Sequence, residues 1–148
     1  MRIGFMTQKS RYDEFEKEYL DAKAYLRRAK QFQDEGQVHS VVFNVASLAL
    51  ERYLVALCYL YDVEPFNHNY NCLMDSVEKI VDVPAKLNTE IRSLDEIFDI
   101  CSIDNYYHGE PELSDMERII IMCDAVDGLF DQKKMEEVRE AEKRNKDE

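Results

Sequence analysis

Seven consecutive residues, Ser102-Ile103-Asp104-Asn105-Tyr106-Tyr107-His108, place a histidine, an Asp, an Asn and two phenols in one short connection. An imidazole titrates near neutral pH, so His108 is the candidate general base, with Asp104, Asn105 and Tyr107 positioned to orient it or a substrate. The same residues also suit a plain polar connection whose tyrosines cover the end of a helical bundle. A second group lies upstream. Ser40, Asn44, Ser47 and Glu51 step by four, three and four and so share one helix face. Asn44, Ser47 and Glu51, with the adjacent Arg52 and with Tyr106, are candidate binding residues. Glu51 sits amid Leu48, Leu50, Tyr53 and Leu54. It is expected to be at least partly buried and to have a partner, Arg52 or a tyrosine, because an unpaired buried charge costs several kcal/mol. Arg52 in turn is expected to reach a carboxylate.

Other chemistries lack their residues. Di-iron bundles need Glu-x-x-His pairs, but Gly36, Pro65 and Asn105 stand three before His39, His68 and His108. Four glycines cannot build a phosphate-cradling loop. Cys58, Cys72, Cys101 and Cys123 form no C-x-x-C pair and read as buried thiols of a reducing compartment. No metal and no cofactor is expected. His68, before Leu73, reads as a loop or capping residue.

The elements that must hold these residues are helical: Gly and Pro number only 4 and 3, while apolar residues recur at steps of three and four. The first helix is predicted from about Tyr12 to Glu35, with Tyr12, Phe15, Tyr19, Ala22, Leu26 and Ala29 as its stripe and Gly36 as its left-handed stop. The second runs from about Val38 to Tyr61, apolar on most of its surface. Its central Glu51-Arg52 pair argues for a buried core helix rather than a membrane span. Asn67 or Asn69 caps the third, and Asp82 and Pro84 open the fourth, with Leu87, Ile91, Leu94, Phe98 and Cys101 inward. A capping box, Ser114 to Glu117, opens the fifth, which continues to Phe130. The expectation is an all-α, five-helix, up-and-down antiparallel bundle over 12–130. Residues 1–11 are an extension. Residues 131–148 form a charged tail or a continuation of helix five, with too few apolar residues to pack.

Charge excludes further classes. The net charge is −12, and residues 61–130 hold 16 acidic against 4 basic residues. Duplex DNA is gripped through clustered Lys and Arg, so no duplex DNA binding is expected. Only Lys23, Arg27, Arg28 and Lys30 cluster, and a solvated face explains them. No signal peptide or membrane span is evident, which predicts a cytoplasmic protein.

The order of these features resembles the HEPN domain family over roughly Tyr19 to Phe130. Ala24-Tyr25-Leu26-Arg27-Arg28-Ala29 is similar to the family's opening Y-L-x-x-A helix, and Gly36 falls at its break. Ala46-Ser47-Leu48-Ala49-Leu50-Glu51-Arg52-Tyr53-Leu54-Val55-Ala56-Leu57 resembles its second helix, and His68 with Leu73 its histidine-led third. The resemblance implies paired chains and, in active members, a metal-independent RNase with an Arg four to six residues before a His. His108 matches the histidine, but positions 101–103 are Cys, Ser and Ile, and the nearest upstream arginine is Arg92. Neither Ser nor Ile can stabilise phosphate charge. The expectation is therefore a catalytically degenerate, homodimeric binding or regulatory module. Helix two or the ends of helices four and five would lie near the two-fold axis. Its setting would be toxin–antitoxin or nucleotidyltransferase-associated, with a nucleotidyltransferase-type protein, RNA or a nucleotide as partner. The alternatives are a divergent RNase using His108 and a purely structural helical domain.

Overall fold

The computed structural model describes residues 11–103 and 111–147. Among them are six helices and no strand: α1 Tyr12–Asp34, α2 His39–Leu60, α3 Tyr70–Val77, α4 Ala85–Ile103, α5 Leu113–Asp127 and α6 Gln132–Asp147.

The α1–α2 hairpin is the frame. Gly36 joins the two helices at φ +77°, the left-handed conformation that the sequence assigns to it. Glu18 and Arg52, at nearly equal sequence distances from that turn, meet across the hairpin. The stripe Phe15, Tyr19, Ala22, Leu26 and Ala29 is buried, as its spacing predicts. α2 is the core. All eight residues from Tyr53 to Leu60 are buried, so neighbours enclose its last two turns on every side. α2 has the length and hydropathy of a membrane-crossing helix, but 67% of its most apolar window is buried against the rest of the chain.

α5 lies along α2. Cys123 Sγ donates to the Ala46 carbonyl at 3.4 Å, and Phe130 reaches Tyr53 with ring centroids 6.2 Å apart. Both contacts pair residues 77 apart in sequence, so α2 and α5 run in the same direction. Strict up-and-down alternation, expected from short connections, therefore does not hold. α3 and α4 form an antiparallel pair, in which Asp95 accepts from the Tyr70 and Asn71 amides at 3.0 and 2.8 Å and caps α3 from outside. Asn69 caps the same helix from within, accepting from the Cys72 amide at 2.8 Å. The N-cap of α5 is Glu112, whose amide donates to Asp115 at 3.0 Å, in place of the expected Ser114–Glu117 box.

The charged C-terminal stretch forms a sixth helix, and it packs. Met135 is 1% exposed and Val138 is 5% exposed. Cationic stems add to the contact. Lys134 lies over the Tyr12 and Tyr61 rings at 5.5 and 5.4 Å, and Arg139 over Phe15 at 5.9 Å while bonding Glu16 at 2.7 Å.

Candidate functional site

Asp104, Asn105, Tyr106, Tyr107 and His108 lie outside the described residues. The other candidates, Asn44, Ser47, Glu51 and Arg52, sit on the middle of α2 and fall into different surroundings.

Arg52 leans toward α1. Its Nη1 donates to both oxygens of Glu18, at 2.9 and 3.2 Å. That hydrogen bond, reinforced by the charges of Glu18 and Glu51, raises the guanidinium pKa further. Glu18 is 8% exposed, so the sequence expectation of a carboxylate partner is met by one of the two buried polar residues among those described. Glu51 leans the other way, toward α3. It is partly buried and partnered, but by His68 Nδ1, 3.2 Å from Oε2, rather than by Arg52 or a tyrosine. A loop histidine and a helix carboxylate thereby close one edge of the α2–α3 seam.

Ser47 is turned into that seam and is 9% exposed; its hydroxyl donates to the Asn44 carbonyl at 2.7 Å. Its own carbonyl accepts from the buried Tyr70 hydroxyl at 2.9 Å. Burial, with Glu51 nearby, pushes the Tyr70 phenol well above its usual range. Asn44 alone among the four is open to solvent. The polar stripe is thus a boundary, with a packed side at Ser47 and an open side at Asn44.

Beside it runs an apolar stripe that the polar residues concealed in the sequence. Val38, Val41, Val45 and Leu48 step by three, four and three. Val38 is 62%, Val41 37% and Leu48 42% exposed, while Val45 is partly buried. The enclosed half of the helix, Tyr53 to Leu60, lies farther along α2, and all three exposed residues fall before it.

Cys58 and Cys123 are buried, as the sequence reading expects, whereas Cys72 is only partly buried. Burial, with Glu64 nearby, pushes the Cys58 thiol up to about 12, and burial with Asp124 beside it raises Cys123 as well. Both therefore stay protonated at neutral pH, and it is the thiolate that reacts. Among the described residues no three His, Cys, Asp or Glu side chains converge to hold a metal ion. Compared with known proteins, the chain matches no family model, no curated protein and no solved structure.

Proposed function

We propose that this chain is a HEPN-like helical module that acts by binding rather than by catalysis, as a symmetric homodimer joined through the first half of α2. The observation that carries the reading is the exposed stripe of Val38, Val41 and Leu48. Val41 and Leu48 on one face of α2, with Val38 at its N-cap, favour burial against a partner. The partner surface is argued from charge. Residues 37–60 carry only Glu51 and Arg52 as formal charges, whereas the chain as a whole carries −12. A second copy is repelled by the acidic flanks and meets least opposition at this neutral face, which a two-fold axis can bring against itself.

The sequence resemblance supports the same arrangement, because it implies paired chains. It also supports a regulatory setting with a nucleotidyltransferase-type or toxin–antitoxin partner. The missing arginine at positions 101–103 speaks against RNA cleavage.

An RNA cleavage assay on the purified chain, with His108→Ala beside it, tests the binding reading. Equal, background-level cleavage by both proteins is expected. Cleavage by the wild type that His108→Ala abolishes would replace this reading with a divergent RNase.

A further inference from the structure

On the α5 side of α1 a cleft of about 310 Å³ opens between the two helices, with Tyr53 of α2 at its floor. Lys23, Arg27 and Lys30 form its α1 wall, and Asp124 and Asp127 face them from α5. Three cations stand against two carboxylates, in a chain whose net charge is −12.

The walls are largely satisfied internally. Lys23 Nζ lies 3.3 Å from Asp127 Oδ2, and Asp127 Oδ1 also accepts from the Tyr19 hydroxyl at 3.0 Å. Lys30 Nζ lies 3.1 Å from Asp124. Two groups are left over. Arg27 is exposed and makes no ion pair with any described residue. Tyr53 is 1% exposed, its ring packed against those of Tyr19 and Phe130 at 6.1 and 6.2 Å, yet its hydroxyl bonds to no described residue. Among the described residues no side-chain oxygen or nitrogen sealed from solvent lacks a partner, so this hydroxyl reaches solvent, and the cleft is where Tyr53 meets it. A phenol buried except at its hydroxyl, and left without a partner at the floor of a charged cleft, is a donor in waiting.

We propose that the α1–α5 cleft binds a small organic monoanion, a carboxylate or a phosphodiester oxyanion, held by the Arg27 guanidinium and the Tyr53 hydroxyl. The planar fork of Arg27 matches two oxygens of either group. Asp124 and Asp127 line the opposite wall and disfavour a second negative charge. Leu26 provides the apolar contact for the ligand's body. This site is independent of the α2 face and of the dimer proposed above.

The test is titration of the full chain with benzoate, dimethyl phosphate and inorganic phosphate, read by amide chemical shifts in α1 and α5 at low ionic strength. At least one of the two monoanions should saturate, moving amides near Arg27. Arg27→Ala should weaken that binding at least tenfold and Tyr53→Phe several-fold, while Arg28→Ala, whose guanidinium lies over the Phe32 ring, should leave it unchanged. Saturation by benzoate alone identifies a carboxylate ligand, and by dimethyl phosphate alone a phosphodiester. The proposal is overturned if neither monoanion saturates, if inorganic phosphate at pH 8 binds more tightly than both, or if Arg27→Ala and Arg28→Ala weaken binding equally. It is also overturned if Tyr53→Phe, folded by circular dichroism, binds as the wild type does.

Discussion

Replacing Arg52 by Ala should lower stability by about 2 kcal/mol. The figure starts from the cost of stranding one partner of a buried ion pair, roughly 3–5 kcal/mol. Two features reduce it here. The Arg52 side chain is 35% exposed, so water already screens the pair. Lys17 also stands 3.7 Å from Glu18, although its own side chain is 69% exposed and holds the carboxylate weakly. What keeps the cost well above zero is Glu18 itself, 10% exposed at the side chain, which would lose both of its bonds from Arg52 Nη1. For a chain of this size about 2 kcal/mol corresponds to a fall of roughly 4–8 °C in Tm. Urea unfolding followed by circular dichroism measures it. Glu18→Leu combined with Arg52→Leu should recover much of the loss, because no charge is then stranded. Stability of Arg52→Ala within about 0.5 kcal/mol of wild type would refute the reasoning. So would a double variant that falls by the sum of the two single losses.

Met135→Ala should cost about 2–4 kcal/mol in the same unfolding assay if α6 is part of the core; a surface-like change below about 0.5 kcal/mol would detach that helix. Gly36→Ala should cost about 1 kcal/mol although open space surrounds the position, because the strain comes from φ +77° and not from a clash; an unchanged midpoint would contradict the left-handed turn. Alkaline pH should weaken the fold. Burial, with Glu64 adding its charge, raises Cys58 and Tyr59 to about 12 from ordinary values of 9.0 and 10.0. The unfolded chain therefore gives up these protons first, and the stabilisation present below pH 9 is lost as the pH rises toward 12. Urea midpoints that stay level from pH 8 to pH 10.5 would count against that burial.

The helices were legible where apolar periodicity is simple, as in the α1 stripe and the α2 run from Tyr53 to Leu60. The Gly36 turn was legible because one residue type dominates the left-handed conformation. The packing of α6 was missed for a definite reason: its apolar residues are only Met135, Val138 and Ala141, whereas Lys134 and Arg139 stems laid over aromatic rings add to its contact. The direction of α5 was also hidden, since local periodicity does not say which way a helix runs. At the site, the partly buried Glu51 was foreseen but His68 was not, because a loop residue 17 positions away carries no helical spacing to it. The cue for the apolar face was present in Val38, Val41, Val45 and Leu48, and it was masked by reading α2 for its polar stripe.

The mass of the chain in solution tests the proposed function most directly. Light scattering across a dilution series from tens of micromolar downward should give twice the chain mass, dissociating on dilution. Val41→Glu combined with Leu48→Glu, both at positions exposed in the single chain, should give a folded monomer throughout. A wild type that stays monomeric at tens of micromolar, or a dimer that survives both substitutions, would contradict the account.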